Sequence, residues 1–242
     1  MTPPTRQPRR LEKQGLYDPA HEHDACGVGF VANIRGEKSH EVVSKGIRVL
    51  VNLEHRGACG CDPETGDGAG LLVQVPDRFL RREMRAQGNE LPEPGRYAVG
   101  MIFLAQDPDA AARQITSLEQ LVASEGQRVI GWRDVPGDPA AVGWLARERM
   151  PRIRQLFVAA SGAAAADQDV FERKLYVIRR LAEKQIAQEH GDRHFFYMTS
   201  FSSRTLVYTG MLISRQIQGF FPDVCDPEFE SALCLVHSRY ST

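Results

Sequence analysis

Cys26 stands at the seam between a polar leader and the apolar run Cys26-Gly27-Val28-Gly29-Phe30-Val31-Ala32-Asn33-Ile34. Two readings of its thiol are open. A lone cysteine at a strand start serves as a small, inert hydrophobe. If residues 1–25 are removed, the freed α-amino group supplies a general base on the nucleophile's own residue, because its pKa of about 7.7–8.0 lies below the thiol's value of about 8.5. The two glycines that follow let a substrate approach closely.

The densest cluster of reactive types is the loop Glu54-His55-Arg56-Gly57-Ala58-Cys59-Gly60-Cys61-Asp62-Pro63-Glu64-Thr65-Gly66-Asp67-Gly68-Ala69-Gly70. As a phosphate loop it lacks Gly-Lys-Ser/Thr and runs from helix into strand. As a zinc site it offers Cys59 and Cys61 but no second pair at finger spacing. As a shaped turn it needs no cofactor and brings Arg56 and Asp67 beside a pocket. His21, His23 and Asp24 could join Cys59 and Cys61 in a metal-binding module, or form the polar end of a leader. Arg239, after the apolar run Ala232–His237, suits bidentate recognition of a carboxylate, with Ser241 and Thr242 adding hydroxyls. Its other reading is an exposed strand-end arginine. Cys225 and Cys234 lack ligand spacing and read as structural.

These groups need a scaffold, and the patterning supplies one. Ser39 caps a helix with Val43, Ile47, Leu50 and Leu53 on one stripe and Gly57 as its stop. Strands are predicted over 26–34, 71–75, 97–104, 128–135, 151–159 and 232–237. Helices are predicted over 76–87, 109–124 and 170–189, the last with Leu175, Ile178, Leu181, Ala182 and Ile186 along one face. Residues 194–201 and 205–208 read as a hairpin around Ser202-Ser203, and 161–169 as a surface connection. Without an even βα rhythm, the interleaving fits an α+β fold.

Composition narrows the class. Thirty Lys and Arg against 31 Asp and Glu give a net charge of -1, which provides no field for nucleic acid or an anionic membrane. Five scattered cysteines do not make a secreted disulfide framework. The longest apolar run, Tyr97–Ala105, is far short of the roughly 20 residues that span a bilayer. Residues 1–15 carry Pro and Arg without the apolar core of a signal peptide. A cytoplasmic globular protein is expected.

Four ordered blocks then converge. They are Tyr17-Asp18-Pro19 with Glu22-His23-Asp24-Ala25-Cys26-Gly27-Val28-Gly29-Phe30; Glu54–Ala58 with Thr65–Gly70; Ser200–Leu212; and His237-Ser238-Arg239-Tyr240-Ser241-Thr242. From about Gly15 onward the chain resembles the N-terminal class II glutamine amidotransferase domain of glutamate synthase large subunits. The resemblance implies an N-terminal-nucleophile αββα four-layer sandwich. It implies a leader over 1–25, and an amidotransferase domain, incomplete at its C-terminus, over 26–242. Cys26 becomes the first residue, attacks the side-chain amide of L-glutamine, and passes through a γ-glutamyl thioester to glutamate and ammonia. Arg239 corresponds to the clamp on the glutamine α-carboxylate, with Thr242 as an accessory contact.

The same resemblance assigns no cofactor to this chain. FMN and an iron–sulfur cluster belong to further domains of the parent enzyme, and its partners are those domains and the small subunit. The family's Asn-Gly oxyanion pair falls beyond Thr242, and losing one such donor costs about 10²–10³ in turnover. The isolated chain is therefore expected to be a non-catalytic fragment.

Overall fold

The structure, a computed structural model, describes residues 27–190 and 196–238. Its strands form two four-stranded antiparallel sheets. Sheet I runs β1 (Val28–Ala32), β8 (Leu233–His237), β2 (Ala69–Gln74), β7 (Thr205–Gly210). Sheet II runs β4 (Arg128–Asp134), β5 (Arg152–Ala159), β3 (Tyr97–Leu104), β6 (Tyr197–Ser202).

Local chemistry sets the helices. The Ser39 hydroxyl accepts the Val42 N–H and opens α1 (His40–Asn52), whose Val43, Ile47 and Leu50 are buried. This helix stops at Leu53, before a single 3₁₀ turn over Glu54–Arg56. Gly57 is extended, so the predicted helix stop has another task, described below. After α2 (Asp77–Ala86), the Asp107 carboxylate accepts the Ala110 N–H and caps α3 (Pro108–Ser124). Proline in that first turn has no intrahelical donor to lose. In α5 (Gln168–His190), Leu175, Ile178, Ala182 and Ile186 are fully buried, as their spacing predicts. The 161–169 connection is not wholly superficial: Gly162–Ala165 forms a 3₁₀ turn that buries Ala164 in the core.

Alternation along β3 separates two cores. Tyr97, Val99, Met101 and Phe103 join α1, α2, Leu71, Val73, Leu206, Tyr208, Cys234 and Val236 in one. Ala98, Ile102 and Leu104 join α3 and α5 in the other, so sheet II is covered on both faces. In sheet I the paired residues Leu71, Val73, Tyr208 and Val236 share the covered face. On its opposite face Val28, Phe30 and Leu235 are exposed, Phe30 by 68%.

The predicted hairpin forms, but its arms diverge: β6 belongs to sheet II and β7 to sheet I. Glu172 of α5 fixes the turn, accepting from the Ser202 hydroxyl and from the Ser203 N–H and hydroxyl. A buried polar network adds a second join. Arg133 of β4 grips Asp223 bidentately at 2.7 and 2.8 Å and reaches Gln155 and Glu83. Tyr208 of β7 donates to Asp223 at 2.7 Å and accepts from Gln155. Burial alone lowers the Arg133 pKa, but the Asp223 carboxylate outweighs it and holds the guanidinium charged. Burial, and then the Asp223 charge, push the Tyr208 phenol up, so it stays a donor.

Candidate active site

The first block of chemistry-bearing sequence and the last meet at one end of sheet I. The Ser238 N–H donates to the Gly27 carbonyl at 2.8 Å, one step beyond the Val28–His237 pair. Cys26, Arg239 and Thr242 lie outside the described residues, as do His21, His23 and Asp24. Gly27 and Ser238 are nevertheless the chain neighbours of Cys26 and Arg239, and both are buried.

The glycine-rich loop packs against the same junction. A Cβ on Gly57 would stand 3.0 Å from the Ser238 carbonyl oxygen, which is the close approach that glycine serves here. Beyond it the loop closes on itself: Cys59 bridges Gly66, and the Asp67 N–H donates to the Ala58 carbonyl. Asp62 holds the fold of the loop from within. Its carboxylate accepts from the Thr65 hydroxyl at 2.8 Å and from the Leu145 N–H at 3.0 Å, at the start of α4 (Trp144–Glu148). The Thr65 hydroxyl in turn accepts from the Ala146 N–H. The backbone N–H of Leu145, and then the Thr65 hydroxyl, hold the Asp62 carboxyl below the usual carboxylate range. Gln216, just ahead of α6 (Ile217–Phe220), donates to the Glu64 carbonyl and fixes the far side.

Next to this junction, a row of paired residues crosses sheet I: Val28, His237, Gly70 and Thr209. A Cβ on Gly70 would fall 2.6 Å from His237 Nε2 and 2.7 Å from Thr209 Oγ1, so glycine alone leaves the imidazole its place. The Thr209 hydroxyl donates to the Ala69 carbonyl. Thr209 also borders a cleft of about 950 Å³ walled by Phe103, Leu145, Met150, Met211 and Leu212. Arg56 and Asp67 do not line that cleft; the loop turns as predicted but reaches the end of β8 instead. The cleft is mainly apolar, with Arg149 and Asp107 as its charged groups.

Among the described residues no three His, Cys, Asp or Glu side chains converge on a metal-sized site. Cys59, Cys61 and Cys225 are exposed, while Cys234 is buried under α1. No helix among the described residues is long and apolar enough to cross a membrane. Sequence reasoning passed over Asp62 and Thr65, whose only signal is an Asp-Pro turn opening, and over the Arg133–Asp223 pair, whose partners are 90 residues apart.

With Gly27, Ser238 and a glycine loop joined at one end of sheet I, the comparisons define the class. Residues 26–242 match the model of the class-II glutamine amidotransferases, and the chain belongs to that family, a branch of the N-terminal-nucleophile hydrolases. It is 47% identical over 229 residues to the glutamate synthase [NADPH] large chain of Bacillus subtilis, covering 95% of this chain and 15% of that protein. It is 40% identical to the glutamate synthase [NADH] of Schizosaccharomyces pombe, covering 95% of this chain and 11% of that protein. It is 37% identical to ferredoxin-dependent glutamate synthase 2 of a Synechocystis strain, covering 91% and 14%. The chain thus spans between a ninth and a seventh of the length of these relatives.

Proposed function

We propose that this chain carries out the glutamine-hydrolysing step of a glutamate synthase, with Cys26 as nucleophile. The observation that carries the reading is the Gly27–Ser238 hydrogen bond. Cys26 and Arg239 are each one peptide, about 3.8 Å between Cα atoms, from one of the bonded partners. Removal of residues 1–25 frees the Cys26 amine; the matched region beginning at residue 26 supports that boundary.

In the first step the thiol sulfur bonds to the side-chain carbonyl carbon of L-glutamine. The freed amine takes the thiol proton and returns it to the leaving nitrogen, and the C–N bond breaks to release ammonia. Water then cleaves the γ-glutamyl thioester to glutamate and restores the thiol. Arg239 clamps the substrate α-carboxylate in a two-point grip, and the Thr242 hydroxyl adds a contact. Domains outside this chain, with FMN, an iron–sulfur cluster and the small subunit, consume the ammonia in the cytoplasm.

The finer architecture belongs to the same reading. The exposed Val28, Phe30 and Leu235 support a four-layer αββα sandwich in which a further helical layer covers the open face of sheet I. Burying each such side chain is worth about 1.5–3 kcal/mol. That face also favours a second reading, in which the 242-residue chain holds the nucleophile but does not turn over by itself.

Intact-mass analysis and glutamate release from the full chain test the proposal. Cys26→Ser is expected to abolish hydrolysis, and Arg239→Lys to raise KM far more than it lowers kcat. Hydrolysis by a protein still carrying residues 1–25 removes the free-amine role, and unchanged activity in Cys26→Ser removes the nucleophile.

A further inference from the structure

The 57–68 loop carries two reactive groups that glutamine hydrolysis does not use. Cys59 and Cys61 are exposed thiols separated by Gly60 alone. The exposed run from Ala58 to Cys61 is strung between two fixed points: Gly57, against the Ser238 carbonyl, and Asp62, buried and bonded to the start of α4. Cys59 is held in its bridge to Gly66, and the chain bends at Cys61. Two residues of fully extended chain span at most about 7 Å. A disulfide takes Cα separations of about 4.4–6.8 Å, so a slight tightening of this bend brings the sulfurs together. Among the described residues other than its chain neighbours, nothing lies within 4 Å of the position a Gly60 Cβ would occupy, so the segment has room to tighten. Neither other described cysteine has this setting. Cys225 is exposed without a neighbouring thiol, its sulfur over the Gln218 carbonyl. Cys234 is buried, and burial pushes its thiol up to about 12.

We propose that Cys59 and Cys61 form a reversible disulfide, closed by exchange with a small oxidised disulfide such as glutathione disulfide, and that closure draws Gly57 away from Ser238. One cysteine thiolate attacks a sulfur of glutathione disulfide, whose S–S bond breaks and releases the first glutathione thiol. The second cysteine attacks the mixed disulfide on the protein and releases the second. Two electrons and two protons pass from the cysteine pair to the oxidant. The ring closed over one intervening residue is strained, which places the bond among those that reduce readily. Its effect on turnover rests on the glutamine-hydrolysing reading, because Ser238 is the chain neighbour of Arg239.

Trypsin cuts at Arg56 and Arg78 release peptide 57–78, which holds both thiols and no other cysteine. The full chain is equilibrated in glutathione buffers of rising oxidised fraction, alkylated and digested. Peptide 57–78 is expected to lose two hydrogens in mass and regain them with dithiothreitol, while Cys225 takes a glutathione adduct. Hydrogen exchange at the Gly57 amide, which donates to Glu54, is expected to rise on oxidation. Glutamine hydrolysis is expected to fall about 10- to 100-fold, as displacement of a site by about 1 Å produces. Cys61→Ser keeps the reduced activity and loses both the internal disulfide of peptide 57–78 and the faster Gly57 exchange. A dithiol 57–78 under conditions that modify Cys225 overturns the proposal, as do separate glutathione adducts on the two thiols or a disulfide without faster Gly57 exchange. A reduced chain that never hydrolyses glutamine counts against Cys26 instead, and the mass and exchange readouts still decide the disulfide.

Discussion

Sheet II is closed on both faces: α3 and α5 cover one, and α2 with the Tyr208 side of sheet I covers the other. Sheet I is closed on one face, while the other presents Phe30, Val28 and Leu235. The chemistry-bearing segments gather on the second, less finished sheet. Its strands β1 and β8 also come from opposite ends of the chain, whereas β3, β4 and β5 are sequential neighbours. One sheet is built to hold its shape, and the other to be joined. The better-covered sheet and the chemistry-bearing segments thus lie in different halves of the same molecule.

That contrast can be broken most decisively at the network between the sheets. Arg133→Met leaves Asp223 buried without its cation and is expected to cost about 3–5 kcal/mol in urea unfolding. A loss below about 1 kcal/mol, the size of a surface pair, refutes the network's role. On sheet I the covered face is tested at Gly46, where a Cβ would lie 2.3 Å from Cys234 Sγ. Gly46→Ala gains about 1 kcal/mol of helix propensity and loses about 1–3 kcal/mol to overpacking, for a net loss of up to about 2 kcal/mol. Adding Cys234→Ala is expected to restore stability, and a double-mutant cycle reads the coupling.

Asp62 gives a pH-dependent comparison. Its folded pKa is lowered, so its contribution is complete above the ordinary aspartate range and is lost as pH falls through the folded value. The difference in unfolding midpoint between the parent and Asp62→Asn is expected to narrow as pH falls below that range. A difference that widens in acid contradicts the assigned bonds. The smallest effect is predicted for the open face: Phe30→Ser shifts stability by no more than about 0.5 kcal/mol and lowers binding of an apolar dye. A cost of several kcal/mol would show that Phe30 is covered in solution.

Legibility follows the range of the interactions. α1, α3 and α5 were readable because a cap such as Ser39 and 3.6-residue stripes such as the Leu175–Ile186 face are local. The bounds of β3 were readable because its run is apolar on both faces. What could not be read is which strand joins which sheet. The hairpin at Ser202-Ser203 is a local signal, but sending β6 and β7 to different sheets depends on Glu172 and Asp223, each at least 15 residues from the strand residue it binds. Gly57 was legible as a stop and does end the 3₁₀ turn that follows α1, but its close approach to the Ser238 carbonyl, 181 positions later in the sequence, was not. The site segments were readable as blocks. Their meeting is a product of the β1–β8 register.

That register also sets a schedule. Among the described strands β1 is the earliest and pairs with β8 alone, so it waits for roughly two hundred further residues before those hydrogen bonds can form. At about 5–20 residues per second the delay is on the order of 10–40 s. The strands of sheet II all end by Ser202, so their pairing can form before β8 is made. The Gly27–Ser238 bond therefore forms late, and the chain neighbours of Cys26 and Arg239 stay apart until β8 is made. During that interval β1, with Phe30, is the longest-lived bare strand among those described, and the one for which a chaperone has the most time.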